Sequence, residues 1–320
     1  MPNRELVIYS GRNRPDLTPI YTLYRQLSGV DLRVEKVYHH DVGARVVTER
    51  DHPRADLLLS NSQLAMEAIR AEGVFDPYPA PVAERTAPWL RAPDFAWLAF
   101  TAWPRVAMIN RAVLPDGGAW PRRLEDLIEP RFRGSLACAS LVETTTVAQF
   151  AALRVARGEG WTRAFLDAIV ANGLRVHESN KATREALVRD GLTVALANAS
   201  NVHVFYLHGN AVGEAWLDQG HDDLGTHVEA HTVAVLSGAR HPDEARRFID
   251  FLLSVEVQEF LARAYGETPV NPEARAGWVR PLAEIKRLDA PVADVLQHVP
   301  ATIDMLRQAG FEVQRTQPTV

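Results

Sequence analysis

Cysteine is almost absent from these 320 residues: Cys138 stands alone. It has no partner for an intramolecular disulfide or a thiolate metal cluster, and its setting, Leu136-Ala137-Cys138-Ala139, reads as inert core. No apolar run approaches the roughly 20 residues of a membrane span. Positive charge is not in excess. Lys and Arg number 35 against 40 Asp and Glu, a net charge of -5, which suggests neither nucleic acid nor an anionic membrane as a partner. There is no phosphate loop or dinucleotide fingerprint. Ser10-Gly11-Arg12 lacks the nucleophile-elbow pattern, and no Ser–His–Asp arrangement, solenoid repeat or low-complexity segment occurs. No cofactor and no catalytic residue is therefore expected. Met1-Pro2-Asn3-Arg4-Glu5 leads straight into an apolar strand, so no signal peptide is read. The chain is then either cytoplasmic or written without its leader.

What is present is plain globular composition, 47% hydrophobic and 23% charged, at a length that suits two domains. Short apolar runs recur, each closed by small polar residues that open a helical spacing. Leu6-Val7-Ile8-Tyr9 ends in Ser10-Gly11-Arg12-Asn13, and Asp56-Leu57-Leu58-Leu59 ends in Ser60-Asn61-Ser62. Further strands are expected at 31–37, 136–141, 174–176 and 227–236. Glu143-Thr144-Thr145-Thr146 and Ser179-Asn180-Lys181 open the helices after two of them. Such units build a sheet with parallel strands, helices on its faces and polar turns along one edge. Residues 77–93 carry five prolines and are expected to be a surface connection. Residues 97–109 read as one strand, or two with a kink at Pro104. Separate helices are expected to end at 156 and to run over 161–171, 281–288 and 300–310.

The sharpest joint is Val194-Ala195-Leu196-Ala197 followed by Asn198-Ala199-Ser200-Asn201. A buried strand that ends in small polar groups and opens a helix offers free N–H groups and the positive end of a dipole. Ligands of α/β sheets sit beyond such carboxyl ends. The same spacing also describes an ordinary strand–turn–helix joint with Ser200 or Asn201 as N-cap.

Several stretches occur in an order that resembles a known family. They are Leu6 to Arg12, Ala55-Asp56-Leu57-Leu58-Leu59-Ser60, Gly73-Val74-Phe75-Asp76-Pro77, and Phe100-Thr101 followed by Arg105-Val106. Gly225-Thr226-His227-Val228, Ala-Arg-Arg-Phe-Ile-Asp-Phe-Leu-Leu-Ser from Ala245 to Ser254, and Pro269-Val270-Asn271-Pro272 continue the series. Over nearly the whole chain this order resembles the ferric-iron-binding solute receptors of bacterial ABC importers. The resemblance implies a type II periplasmic-binding-protein fold of class α/β: two lobes of mixed sheet flanked by helices, joined by a hinge of crossing strands, with ligand in the cleft between them. It implies crossings near Phe100 and Val233, so that one lobe holds 1–100 and 233–275 and the other 101–232 and 276–320. It further implies a periplasmic monomer with a small-molecule ligand and a permease partner.

The metal half of that family's site is not preserved. Iron-binding members hold ferric ion through adjacent tyrosines, and a hard cation needs anionic oxygen. The matching positions are Ser200 and Asn201. Asn13 stands for the histidine or tyrosine after the first strand, Asn61 for the carboxylate after the third, and Thr145 or a neighbour for a further tyrosine. The family's anion pocket matches Thr144, Thr145, Asn180 and Asn198, all able to hydrogen-bond. The resemblance thus implies a receptor without metal for a small organic anion, such as a phosphorylated sugar, phosphonate or carboxylate. Ser10, Arg12, Ser62 and Glu143 join the candidate ligand residues, with Arg12 and Arg105 as sources of charge-assisted bonds. Glu143 reads either as an N-terminal charge favoured by the helix dipole or as an acceptor for sugar hydroxyls or an amine. Two alternatives stay open: ferric iron held by atypical ligands or a chelate, and a cytoplasmic enzyme or sensor on the same fold. His227, Glu229 and His231 alternate on one strand face, which suits a metal site or a solvated or cleft-facing strand. His39-His40-Asp41 suits a surface pair. Trp103 suits the cleft or the core.

Overall fold

The computed structural model describes residues 5–12, 16–37, 41–116, 119–275 and 277–313. In chain order the first elements are β1 (Glu5–Ser10), α1 (Thr18–Ser28), β2 (Asp31–Lys36), α2 (Val42–Thr48), β3 (Leu57–Ser60), α3 (Gln63–Arg70), β4 (Phe75–Asp76), α4 (Pro81–Glu84) and β5 (Leu98–Asn110). Next come β6 (Leu136–Ala139), α5 (Thr144–Ala171), β7 (Arg175–His177), α6 (Asn180–Arg189), β8 (Val194–Asn198), α7 (Ala199–Leu207) and β9 (Val212–Ala215). The chain closes with β10 (Val228–Leu236), α8 (Pro242–Leu252), α9 (Val255–Tyr265), β11 (Thr268–Pro269) and α10 (Val292–Gln308). It forms two compact units, Met1–Ala102 with Glu229–Leu282, and Trp103–Val228 with Ala283–Val320. Among the described residues no helix is long and apolar enough to cross a membrane.

In unit 1, β2, β1 and β3 are parallel neighbours, β10 pairs antiparallel with β3 and with β4, and β11 pairs antiparallel with Thr101 and Ala102 of β5. β1 and β3 are apolar runs buried almost throughout, as strands inside a sheet covered on both faces are, whereas β2, at the edge, is polar and partly exposed. Leu57, Leu58 and Leu59 are all fully buried, each worth about 1.5–3 kcal/mol of burial. α3 buries Gln63, Met66 and Ile69, three residues apart on one helix face, and starts at Ser62, whose hydroxyl accepts from Ala65 N. In unit 2, β7, β6 and β8 run parallel, β5 lies antiparallel to β8, and β9 lies antiparallel to β5. The apolar side chains of Val106, Met108, Ala195, Val202 and Phe205 meet in one core there.

Several local expectations are corrected. Residues 77–93 hold a helical turn, α4, and a 3-10 turn at Pro88–Leu90, because Ala80, Leu90 and Ala92 are buried and anchor the segment. β5 is one 13-residue strand that contains Pro104. The break expected between a helix ending at 156 and another starting at 161 is present: α5 is two helical segments joined at Gly158, whose φ of 80° and ψ of 165° are not helical. Pro300 lies inside α10 rather than opening a helix, since α10 packs lengthwise on α5. Only a 3-10 turn, Leu282–Glu284, forms within 281–288. β8 extends to Asn198, and α7 starts at Ala199, so Asn198 is the N-cap and Ser200 and Asn201 lie in the first turn.

Candidate ligand-binding site

Unit 2 aligns three helix N-termini along one sheet edge, because β6, β7 and β8 are parallel and each leads directly into α5, α6 or α7. Ser179 caps α6 by accepting from Ala182 N at 3.1 Å. The first turns of α5 and α7 have no side-chain cap, so their leading N–H groups are free to meet an acceptor. Arg105 of β5 sits opposite Asn198 in the register and bridges these two helix starts. Its Nη1 donates to Asn198 Oδ1 at 2.8 Å and its Nε to Gln149 Oε1, on α5, at 3.0 Å. Nη2 is buried with no partner among the described residues.

Both acceptors are neutral amides, and among the described residues this buried guanidinium makes no ion pair. Burial pushes it down to about 10, against a weaker pull from Cys138 and Glu143. Arg105 also lines a cavity of about 20 Å³, together with Gln149, Asp218 and His227, which has room for one water at most. Beside it, Asn180 Nδ2 donates to Glu143 Oε2 at 3.1 Å and to Thr145 Oγ1 at 3.2 Å, and Asn180 N reaches Glu143 Oε1 at 3.4 Å. Glu143 thus serves as an acceptor for the first turn of α6. Asn180 Oδ1 is buried without a partner among the described residues.

Unit 1 builds the same kind of edge and closes it on itself. Ser10 Oγ donates to Arg12 O and accepts from Arg12 N, and Ser60 Oγ does the same with Ser62 O and N. The Arg12 guanidinium is buried, pairs with Glu267 and stands 5.2 Å from the centre of the Phe100 ring. Its Nε and Nη1 have no acceptor among the described residues, but its charge is answered. Burial pushes the Glu267 carboxyl up, and Arg12 and His231 outweigh that and hold it at about 2. His231 Nδ1 lies 2.9 Å from Thr101 Oγ1. Burial first, and then Arg12, hold its imidazole below 6.5 and neutral. At the start of α3, Glu229 Oε1 accepts from Ser62 Oγ at 2.6 Å and from Gln63 N at 2.9 Å. A carboxylate of the protein already occupies this helix N-terminus.

The structure therefore divides the candidate residues. Glu143, Thr145 and Asn180 form one hydrogen-bonded group, Asn198 joins Arg105, and Thr144, Ser200 and Asn201 are half-buried in first turns. Ser10, Arg12 and Ser62 are committed to internal partners in unit 1, and Asn61 is half-buried, its buried Oδ1 without a partner among the described residues. Asn13, His39 and His40 lie outside the described residues. Glu229 and His231 are buried, not solvated, and answer different partners. Among the described residues no three His, Cys, Asp or Glu side chains converge to hold a metal. Trp103 is buried, and burial pushes the Cys138 thiol up to about 12. Tyr206 is exposed near the end of α7. Gln149 and Glu267 were missed. Gln149 had a visible signal, a lone amide within Val147-Ala148-Gln149-Phe150-Ala151-Ala152, whereas nothing local marks Glu267.

Residues 52–293 match the family described as bacterial extracellular solute-binding protein. The iron uptake protein A1 of Synechocystis is 27% identical over 290 residues, 83% of this chain and 76% of that protein. Iron-bound HitA from Pseudomonas aeruginosa superposes with a TM-score of 0.83 at 21% identity, over 96% of this chain and 99% of that one. The periplasmic binding protein AfuA from Actinobacillus pleuropneumoniae, with fructose-6-phosphate bound, gives 0.76 at 19% identity, over 97% and 99%. The fold is that of type II periplasmic binding proteins, and the ferric-iron-binding group is the one this sequence resembles. With three-quarters of its length matched, the chain belongs to the bacterial extracellular solute-binding protein family.

Proposed function

We propose that this chain is the periplasmic receptor of an ABC importer and delivers a small organic anion, a phosphorylated sugar, phosphonate or carboxylate, to its permease. It acts by binding and not by catalysis. The observation that carries the reading is Arg105, a buried cation that meets only neutral amides and keeps Nη2 unpartnered, between the uncapped starts of α5 and α7. A buried, uncompensated guanidinium is costly, and an anionic oxygen would satisfy it through charge-assisted bonds. The helix N-termini add donors and dipole to the same acceptor. Glu143 and the buried Asn180 Oδ1 favour a ligand that also carries hydroxyls, since a second anion there would be repelled. AfuA, a similar structure with fructose-6-phosphate bound, supports the reading.

Several relatives are described as ferric-iron-binding, which makes iron the competing cargo. The donors here do not fit it: Asn61, Thr145, Ser200 and Asn201 are neutral, and a hard ferric ion selects anionic oxygen. Native mass spectrometry of the freshly purified protein separates the two. A retained phosphorylated or carboxylated metabolite, absent from Arg105→Met, is expected. An increment of iron, with or without carbonate, would overturn the organic-anion reading.

A further inference from the structure

A pocket of about 320 Å³ opens beside β9 in unit 2, lined by Asp116, Trp120, Pro121, Arg122, Glu214 and Trp216. This volume is in the range of small-molecule sites. Its shape is written into the strand. A Cβ on Gly213 would stand 2.5 Å from Trp120 Cη2, so only glycine lets the indole lie against the backbone of β9. Trp120 Nε1 donates to Leu114 O and Pro115 O, both at 3.2 Å, which leaves the ring as an apolar wall. Trp216 lines the pocket with its body packed on the unit 2 core. Glu214, opposite Met108 in the register, makes no ion pair among the described residues. Burial pushes its carboxyl up to about 7, with a hydrogen bond from Trp216 opposing. Asp116 is already paired with Arg111, and Arg122 is exposed at the rim, where solvent screens it.

We infer that Trp120, Glu214 and Trp216 form a second binding site, for a small organic ammonium ion. The half-buried Glu214 carboxyl has no ion pair among the described residues, so a cation in the pocket would hold it ionised, and indole rings attract a cation through their quadrupole. The polarity is opposite to that of the Arg105 edge, so this site stands or falls independently of the anion reading.

Choline is the probe, with 3,3-dimethylbutan-1-ol as its uncharged counterpart, both titrated against the full chain by tryptophan fluorescence and calorimetry. Saturable choline binding is expected, with no binding of the neutral alcohol. Glu214→Gln and Trp216→Phe should each weaken it by about tenfold or more, while circular dichroism and the thermal midpoint show both variants folded. Equal binding of choline and the alcohol, an unchanged affinity in Glu214→Gln, or no saturable choline binding would each overturn the site.

Discussion

Arg12 in unit 1 and Arg105 in unit 2 are both buried guanidiniums near the carboxyl ends of parallel strands, but their surroundings treat the charge differently. Arg12 meets Glu267, and the nearby start of α3 is held by Glu229. Arg105 meets only the amides of Gln149 and Asn198, between two helices that lack side-chain caps. Unit 1 has solved its electrostatics internally and gains stability from doing so. Unit 2 gives its cation only two amide partners and the weaker pull of Glu143, which costs stability in the free protein. The difference shows why a buried arginine is not by itself a binding residue: what matters is whether a counter-ion is already folded beside it.

Substituting the same residue type in both units tests this contrast most severely. Arg12→Met strands the Glu267 carboxylate and should lose about 3–5 kcal/mol of unfolding free energy in urea. Arg12→Met combined with Glu267→Met should recover most of it. If the single variant is as stable as the parent, the two units do not differ as argued.

Acid should find the same pair. The Glu267 carboxyl lies at about 2 in the fold against 4.5 for the free group. Its contribution, roughly 3 kcal/mol, is present above pH 4.5 and is lost as pH falls from 4.5 towards 2. His231, held neutral below 6.5 in the fold, takes up its proton on unfolding, so its part of the loss begins as pH drops through 6.5. Urea midpoints measured down the pH scale should fall in the parent and flatten below pH 4.5 in the Arg12→Met, Glu267→Met variant.

Arg105→Met should do the reverse of Arg12→Met. Stability of the free protein should hold or rise, since an uncompensated buried charge is gone, while affinity for the anion retained on purification drops about 10- to 150-fold. A smaller effect separates the helix starts. Ser62→Ala removes the cap of α3 and should cost about 1 kcal/mol without changing ligand affinity. Glu143→Gln should change stability little and alter affinity several-fold, upward for a ligand that is anionic throughout and downward for one with hydroxyls or an amine. Calorimetry reads the sign directly.

Much of the architecture was legible because parallel strands and amphipathic helices leave periodic signatures. Leu57, Leu58 and Leu59 announce a strand covered on both faces, and Ser60-Asn61-Ser62 announces the turn that follows. Of the site, the polar joints at Glu143, Asn180 and Asn198 were visible as breaks in apolar runs. Misreadings came where burial outweighs local signals. Pro300 sits inside α10 because α5 packs along it, and 77–93 is anchored by Ala80, Leu90 and Ala92 despite its prolines. Arg12 and Arg105 read alike in sequence, each an arginine beside an apolar run. Glu267 lies 255 positions from Arg12, and no local pattern spans that gap.

The sequence alone therefore determined the order of strands and helices and the polar edges that close them. These depend on residue chemistry and short-range periodicity, which are present in the unfolded chain. Only the tertiary structure decided which charges are answered: that Glu267 neutralises Arg12, that Glu229 sits on α3, and that Arg105 has only Gln149 and Asn198. Electrostatic energy depends on distance and desolvation in space, and both are set by folding rather than by separation along the chain.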